Sequence, residues 1–404
     1  MKPSAGSSQE NNVMRVAFTL IHSASWTGGY NYLLNLFRSI LKYQFDQIKP
    51  VLFCGEDAVK SDLLPFIEME GVEIVRSRIF NEHEKSARFW RSILPGQDYD
   101  ALRLFQNNKI DVVFENAAFY GWRFPIPAIA WIPDLQHRQL REQFGFAAYW
   151  RRELGFRAQV AFGRTIMLSS EDARKDCEFF YHGSIGHTSV VRFAAPIPAE
   201  LIEDHPEEVR QKYLLPPKFY YLPNQFWKHK NHLLVIEAIG LLKRQGCEVV
   251  VAASGNPLDP RHPEYMSQLC SRIESLGLQD NFHMLGLIPR RHVISLIRTC
   301  TALINPSYFE GWSSTVEEAR TLGARMLLSD IGVHREQMGG GAVYFSADDA
   351  EGLAEKLKWS VLEAHLASPE IEPHISFGDD HVRRFARDFQ AVVEKAIDVH
   401  LQDA

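Results

Sequence analysis

The chain has 404 residues and a formal net charge of −6, with 46% apolar and 23% charged residues. This length exceeds what one hydrophobic core usually supports, so two domains are expected. The acidic balance argues against a nucleic-acid partner, which requires a clustered basic surface. The five cysteines are odd in number and form no Cys-x-x-Cys pair, which indicates neither a disulfide framework nor a metal site.

The first twelve residues are polar and rich in serine, so we expect a disordered tail over 1–12. No segment approaches the roughly 20 apolar residues that span a bilayer. Together with the scattered cysteines, this pattern predicts a cytoplasmic protein.

From Val13 onward, short apolar runs alternate with helical stretches. Strands are predicted at 15–21, 49–54, 111–114, 128–132 and 165–168, and an amphipathic helix is predicted at 30–43. Apolar strands joined through helices are typical of parallel sheets built from βαβ units. The sequence therefore predicts a Rossmann-like N-terminal domain over 13–200.

Prolines and a charged run between Ala194 and Pro217 predict a linker, after which the alternation restarts. Strands are predicted at 219–222, 247–253, 282–285, 302–305 and 325–329, with helices at 231–245, 263–276 and 315–322. We expect a second Rossmann-like domain over 201–379. A final helix, 380–401 within the segment 380–404, can pack on either half, including back on the N-terminal domain.

Two glutamates, Glu310 and Glu318, flank the junction between a predicted strand and a predicted helix. In open α/β sheets, ligands bind outside the carboxyl ends of the strands. Glu310 precedes the helix and Glu318 lies about one turn inside it, so the two can bracket different parts of one extended ligand.

The residues between these glutamates suit a diphosphate. Gly311 lets the backbone approach a ligand closely, and Ser313, Ser314 and Thr315 lead into a helix N-terminus, whose amides and dipole favour phosphate. The alternative is that Ser314 and Thr315 each begin a capping box with the glutamate three residues on, which would make those carboxylates structural.

The run Pro306-Ser-x-x-x-Glu310-Gly followed by Glu318-Ala resembles the paired-glutamate motif of the family 4 retaining glycosyltransferases. The likeness extends to 324–330 and to Phe282-x-x-Leu-Gly286. It implies the GT-B fold, in which two Rossmann-like doubly wound domains face each other across a cleft. It further implies that Glu310 contacts the transferred sugar and that Glu318 binds the ribose. The other implied donor-binding residues are Gly286, Gly311, Trp312, Ser313, Ser314 and Thr315, and the amides of 311–315 would hold the phosphates.

A second polar cluster follows the predicted strand 219–222 and contains Gln225, Lys228, His229 and Lys230. A lysine facing a diphosphate stabilises the departing nucleotide, and we expect Lys230 to do so. The alternative is a solvated charged loop. The family usually has an arginine where this chain has Gln225. The segment resembles the subset of transferases in surface-polysaccharide assembly, of O-antigen or capsule type.

The loop after the first strand carries Gly28 and Gly29 and lacks the Gly-x-Gly-x-x-Gly fingerprint of dinucleotide enzymes. The pair resembles the family's first loop, which lies across the cleft from the donor phosphates. An ordinary turn is the alternative.

Asp134 and His137 follow the very apolar strand 128–132, so we expect both to project into the cleft from the N-terminal side. A carboxylate and an imidazole there can orient or deprotonate an acceptor hydroxyl. The alternative is an aspartate turn and a surface histidine. Glu115 and Asn116, at the end of the neighbouring strand, are further candidates.

The resemblance implies a retaining enzyme that moves a hexose-type sugar from a nucleotide diphosphate donor to a glycan or lipid-linked acceptor. We take mannose from GDP-mannose as the working donor, and we expect no metal and no other cofactor. Two alternatives remain, because fold does not determine function. A nucleotide-sugar epimerase of this architecture would turn over without an acceptor. A non-catalytic assembly subunit should have lost the charges at Glu310, Glu318, Lys230 and His137, which are present here.

The segment 138–164 interleaves aromatic side chains with six arginines in a chain that is acidic as a whole. This composition is typical of a helix that lies at a membrane interface with anionic lipids. It predicts peripheral contact with the inner face of the cytoplasmic membrane. The alternative is a core helix whose buried stripe contains Phe144, Trp150 and Leu154.

Overall fold

The computed structural model describes residues 13–84, 92, 95–116, 118–202, 205–363 and 375–403, so the predicted tail over 1–12 lies outside them. In these residues the chain forms two parallel sheets, each covered by helices. The predicted GT-B architecture of two Rossmann-like domains is therefore confirmed.

The N-terminal sheet has, in the described ranges, seven strands in the order β3-β2-β1-β4-β5-β6-β7. Its strands are β1 (Met14–Thr19), β2 (Ile48–Cys54), β3 (Glu73–Arg76), β4 (Val112–Asn116), β5 (Ala128–Trp131), β6 (Thr165–Leu168) and β7 (Thr188–Val190). Its helices are α1 (Thr27–Tyr43), α2 (Lys60–Ile67), α3 (Tyr99–Asn107), α4 (Gln136–Gln139), α5 (Phe146–Ala161) and α6 (Glu171–Phe180).

The C-terminal sheet has the order β10-β9-β8-β11-β12-β13. Its strands are β8 (Tyr220–Leu222), β9 (Val251–Ser254), β10 (Phe282–Gly286), β11 (Ala302–Asn305), β12 (Met326–Ser329) and β13 (Val343–Phe345). The helices that follow β7 are α7 (Ala199–Ile202), α8 (Pro206–Lys212), α9 (His232–Arg244), α10 (Tyr265–Ser275), α11 (Arg290–Thr299), α12 (Ser314–Thr321), α13 (Gly332–Met338), α14 (Ala350–Glu363) and α15 (Ile375–Asp403).

Both faces of each sheet are buried, which explains the continuous apolar runs of the strands. Val16 and Phe18 of β1 face one N-terminal core, whereas Ala17 faces the other. In the second domain, Tyr220 and Tyr221 of β8 likewise enter two different cores. Successive side chains of a strand point to opposite faces, so both cores depend on the same strands.

Three short strands, β3, β7 and β13, have no counterpart among the predicted elements. β3 and β7 are partly exposed and carry polar residues, while β13 has only three residues. All three lie at the edges of their sheets, where short and polar strands are common and give weak sequence signals.

The predicted linker between Ala194 and Pro217 contains two helices, α7 and α8, that pack on α11 of the second domain. Val209 and Leu215 are buried there in a core with residues of β8 and β11. Prolines and charges in this segment therefore mark helix boundaries as well as the change of domain.

The final helix, α15, returns to the first domain and contacts α1, β4, β5 and β6. Phe389 is fully buried, and its ring centroid lies 5.8 Å from that of Phe18 and 5.9 Å from that of Phe114. The last segment of the chain thus completes the core of the first domain.

We expect Phe389→Ala to lower the free energy of unfolding of the N-terminal domain by about 3–5 kcal/mol, because it leaves a cavity between Phe18 and Phe114. Denaturant titration followed by circular dichroism measures this loss. Phe45→Ala is the control, since Phe45 is 70% exposed and should change little. Equal stability of the two variants would show that α15 does not support this core.

Candidate functional site

The loops that follow β8 and β11 converge at one edge of the C-terminal sheet. These two strands are paired, and the strand order reverses between them, which is where ligands bind in doubly wound sheets. Asn231, with the left-handed φ of 57°, links the loops, because its side-chain amide donates to the carbonyl oxygens of Pro306 and Ala347.

Lys230 and Glu310, one from each loop, form an ion pair in which Nζ lies 2.6 Å from Oε1. Their side chains are 14% and 8% exposed, so the pair is almost removed from solvent. The Ser307 hydroxyl also donates to Glu310, at 2.8 Å. The structure therefore brings together the two residues that the sequence analysis selected from separate motifs.

The surroundings of Glu310 keep its carboxylate charged. Burial alone would raise its pKa, but the Lys230 ammonium, the nearby His334 and the Ser307 hydroxyl together bring the pKa below its ordinary value. At neutral pH the site consequently holds one buried carboxylate beside one ammonium.

The N-terminus of α12 lies next in the chain. The Ser313 side chain caps the helix by accepting from the Val316 amide at 3.4 Å, and the Ser313 amide itself donates to Gln337 Oε1 at 3.1 Å. Within the described contacts, no acceptor takes the amides of Ser314 and Thr315. Of the predicted phosphate donors, the Ser313 amide is thus already engaged, whereas these two are available.

The capping boxes weighed as an alternative are absent from the described contacts. Glu317 pairs with Arg320 and accepts from Gln337, and Glu318 accepts from Arg290 at 3.0 Å. Burial raises the pKa of Glu318, partly offset by the Arg290 guanidinium. Arg290 was not a candidate from the sequence, because only the fold brings the start of α11 beside α12.

Gly311 lies against the first domain. A Cβ atom at this position would be 2.3 Å from the Pro133 carbonyl oxygen and 3.0 Å from Asp134 Cβ, so any other residue would separate the two loops. The neighbouring Trp312 is 8% exposed, and its indole N–H donates to the Phe193 carbonyl at 3.0 Å. This loop consequently joins Glu310 to the cleft wall that carries Asp134.

Asp134 and His137 occupy different environments. Asp134 is partly exposed, and its Oδ1 accepts from Arg152 Nη1 at 3.3 Å and from the Gln136 amide at 3.0 Å. His137, which was expected to project into the cleft, is fully buried, with Nε2 3.2 Å from Glu153 Oε2. The structure corrects that expectation, because the imidazole is directed into the interior and has no access to an acceptor hydroxyl.

The His137 imidazole belongs to a buried polar cluster organised by Glu153. This carboxylate also accepts from Tyr181, at 2.7 Å, and pairs with Arg138 and Arg157. Burial lowers the pKa of His137 although the Glu153 hydrogen bond opposes that effect, so the ring is neutral at physiological pH. The cluster fixes the loop after β5 to α5.

Glu115 and Asn116 also have structural partners. Glu115 is fully buried against Arg164 and accepts from the Tyr120 amide at 3.1 Å. The side chain of Asn116 bonds to Thr19 on the adjacent strand β1. Neither group is directed toward the pair of Lys230 and Glu310 by these contacts.

Gly28 and Gly29 lie in the first turn of α1, against the indole of Trp26. A Cβ atom at position 29 would lie 2.3 Å from this ring, whereas position 28 is exposed. Trp26 in turn stacks on Trp131, with ring centroids 5.2 Å apart. Gly29 is therefore required for packing, and Gly28 is the member of the pair that a ligand can reach.

Gln225 and Gly286 lie at the ends of β8 and β10. Gln225 is half-buried, beside Gly255, whose Cβ position would be 2.4 Å from the Asn224 carbonyl oxygen. Gly286 has a φ of +64° and open space around it. Both residues remain predicted contacts of the nucleotide-sugar donor, and both lie at the carboxyl ends of their strands, where ligands bind in such sheets.

Comparison with known proteins agrees with this geometry. Residues 206–368 match the family described as glycosyl transferases group 1. The C-terminal half is thus similar to glycosyltransferase group 1 domains. A search of curated proteins finds no match.

Solved structures share the whole fold. A glycosyltransferase from Rickettsia africae is 14% identical with a TM-score of 0.62, covering 97% of each chain. HepE from Anabaena, in complex with UDP and glucose, is 15% identical with a TM-score of 0.63, covering 96% of this chain and 98% of that one. WaaG, a glycosyltransferase involved in lipopolysaccharide biosynthesis, is 14% identical with a TM-score of 0.59, covering 96% and 99%. The domain match and the fold together support a glycosyltransferase of the GT-B type.

In the part of the chain that the structure describes, no group of three or more histidine, cysteine, aspartate or glutamate side chains is arranged to hold a metal ion. Over the same residues, none of the helices has the length and hydropathy to cross a bilayer.

We expect Glu153→Gln to lower the free energy of unfolding by about 3 kcal/mol, because it leaves Arg138 and Arg157 without their buried counterion. Urea titration followed by tryptophan fluorescence measures the change. Glu142→Gln, an exposed position on the same segment, is the matched control. An unchanged midpoint for Glu153→Gln would mean that the cluster does not stabilise the domain.

Proposed function

We propose that the protein is a retaining, metal-independent glycosyltransferase that moves a hexose from a nucleotide diphosphate to a glycan or lipid-linked acceptor. The observation that carries the proposal is the buried pair of Lys230 and Glu310, 2.6 Å apart beside the N-terminus of α12. A nucleotide sugar offers a complementary charge pattern, with a diphosphate for the cation and sugar hydroxyls for the carboxylate.

In this proposal the donor diphosphate binds at the amides of Ser314 and Thr315, where the helix dipole favours an anion. Lys230 then lies between Glu310 and the phosphates and stabilises the charge that grows on the leaving group. Glu310 accepts hydrogen bonds from hydroxyls of the sugar. Glu318 binds the ribose, once Arg290 shifts from its contact with that carboxylate.

The acceptor hydroxyl approaches from the N-terminal domain, where Gly311 and Pro133 are in contact. Attack from the side of the departing phosphate gives retention, and the departing oxygen can take the proton of the hydroxyl. Asp134 is the acidic side chain on that wall and can accept a hydrogen bond from the attacking hydroxyl. GDP-mannose is the first donor to test, because the resemblance to surface-polysaccharide transferases suggests it.

We expect Glu310→Gln and Lys230→Ala each to reduce transfer by about a hundredfold or more at temperatures where the variant is folded, because a cleft charge aligned with the transition state affects the rate. Each variant also breaks the buried ion pair, so its thermal midpoint should fall as well. A panel of nucleotide sugars with a polyprenyl-linked acceptor extract provides the assay. Lys228→Ala is the control, since Lys228 is an exposed lysine two residues away.

The same assay separates the alternatives. Retention predicts an α-linked product from an α-linked donor, and NMR of the product assigns the anomer. Activity in EDTA should equal that without it, so rescue only by manganese or magnesium contradicts the metal-free proposal. Free isomerised sugar formed without acceptor favours an epimerase. Parental rates in both Glu310→Gln and Lys230→Ala would exclude this donor site.

We further propose that α5 contacts an anionic membrane surface, where a lipid-linked acceptor would be found. Phe146, Trp150 and Leu154 are spaced four residues apart, hence on one helix face, and are 74%, 38% and 55% exposed. These exposed fractions exclude the alternative of a buried stripe on a core helix, because of Phe144, Trp150 and Leu154 only Phe144 is buried. Four arginines of the same segment are exposed and complement anionic headgroups, namely Arg141, Arg151, Arg152 and Arg157, whereas Arg164 is buried against Glu115.

We expect the protein to sediment with vesicles of anionic lipid and not with neutral ones, and binding should weaken with salt. Arg151→Glu combined with Leu154→Ser should abolish sedimentation, because each basic residue near the surface contributes about 1 kcal/mol. Phe179→Ser is the control, since Phe179 is 69% exposed on α6. Equal sedimentation with both lipids, or with neither, would contradict the proposal.

A further inference from the structure

Two arginines from different domains converge on one phenylalanine in the cleft. Arg261, in the segment after β9, has its guanidinium carbon 5.0 Å from the centroid of the Phe144 ring. Arg152, on α5 of the other domain, lies 5.3 Å from the same centroid. Burial and the charge of Arg152 both lower the pKa of Arg261, so the two cations on this ring interact where the domains meet.

Arg261 is bound mainly by neutral groups. Its Nη1 donates to Gln136 Oε1 at 3.0 Å, and its Nη2 lies 3.3 Å from His229 Nδ1. Burial and the neighbouring Lys230 hold the pKa of His229 well below its usual value, so that ring is uncharged. The nearest carboxylate oxygen in the described contacts is Asp259 Oδ1, 3.7 Å from Nε.

Asp259 is the ion-pair partner of Arg261, and its oxygens also accept from the backbone amides of Lys228 and Arg261, both at 3.0 Å. Burial of the Arg261 guanidinium lowers its pKa, and the two aspartates nearby compensate only in part. A partly buried cation of this kind is stabilised when an anion supplies charge-assisted hydrogen bonds.

Arg152 is the more accessible cation of the two, with its side chain 42% exposed. Its single described carboxylate contact is the 3.3 Å bond to Asp134. Asp134 also contacts Gly311, the residue after Glu310. The two arginines are therefore linked, through Asp134, to the loop that carries the proposed sugar-binding carboxylate.

We propose that Arg261 and Arg152, positioned by the Phe144 ring, form an anion-binding subsite for the acceptor, which carries a phosphate next to the hydroxyl that is glycosylated. The inference rests on the proposed function and specifies its acceptor class. When the phosphate engages both guanidinium groups, Arg152 releases Asp134. The freed carboxylate can then accept a hydrogen bond from the attacking hydroxyl, beside Glu310.

Titration calorimetry with inorganic phosphate tests the subsite without requiring turnover. The protein is saturated with GDP, and in a second series with UDP, so that the donor phosphate site is filled. Wild-type protein should bind phosphate with an affinity that falls as salt is raised. Arg261→Gln should weaken this binding about tenfold or more, as expected for a lost charge-assisted hydrogen bond. Arg261→Lys should retain part of it.

Two further variants distinguish an anion-binding site from a contact whose role is to hold the two domains together. Gln136→Ala removes the bond from Arg261 to the first domain while keeping both cations, so phosphate should still bind. Arg123→Gln removes an exposed guanidinium that lies over the Trp122 ring and should behave as wild type. Absence of phosphate binding, or equal losses in Gln136→Ala and Arg261→Gln, would overturn the proposal.

The same phosphate chemistry occurs in lipid-linked and in soluble acceptors, and competition against inorganic phosphate distinguishes them. One arm uses neutral vesicles with and without polyprenyl phosphate, and the other uses glucose 1-phosphate against glucose. If a ligand of one arm competes with phosphate for wild-type protein but not for Arg261→Gln, the result supports the subsite and identifies the kind of acceptor. If no ligand of either arm competes with phosphate, the proposal is overturned.

Failure of this inference differs from failure of the proposed function. If a phosphorylated acceptor is glycosylated equally fast by Arg261→Gln and wild-type protein, the subsite is wrong and the transferase remains. If no nucleotide sugar supports transfer, the proposed function fails, whereas phosphate binding at Arg261 is still measured directly.

Discussion

The buried ion pair of Lys230 and Glu310 is the interaction on which the site depends. Each side chain would be costly to bury alone, so each fixes the loop that carries the other. Asn231 reinforces this arrangement by bonding to the backbone of the loop after β11. The pair thereby couples the ends of β8 and β11, and a donor that draws Lys230 toward its phosphates changes both loops together.

The second constraint is the contact of Gly311 with Pro133. Because no side chain fits there, Glu310 is held within reach of the N-terminal wall, and Asp134 with its arginine partners becomes part of the same cleft. Three proposed sites are thus adjacent: the anion site at α12, the carboxylate for the sugar, and the basic wall for the acceptor. The spatial order of the three sites is the order in which phosphate, sugar and acceptor are arranged in a sugar-transfer reaction.

The fold was predictable, and the candidate donor residues could be selected, because their sequence signals are local. Strand and helix periodicity and the spacing of Glu310, Gly311 and Glu318 lie within short segments. Arg261 could not be found this way, because its partner Gln136 is 125 residues distant and belongs to the other domain. His137 was assigned to the cleft for the same reason, since its burial depends on Glu153 and Tyr181, which no motif connects with it.

The chain crosses between the two domains in such a way that each domain has its own apolar core beside the polar cleft. The chain enters the second domain before α7 and returns to the first with α15, whose Phe385 and Phe389 are part of the N-terminal core. Stability of each domain is therefore secured by apolar cores that lie away from the cleft. Polar contacts join the two walls of the cleft, such as Arg192 with Glu336 at 2.6 Å and Trp312 with the Phe193 carbonyl. Water can replace polar contacts of this kind at little cost, so a change in these contacts would leave both apolar cores intact.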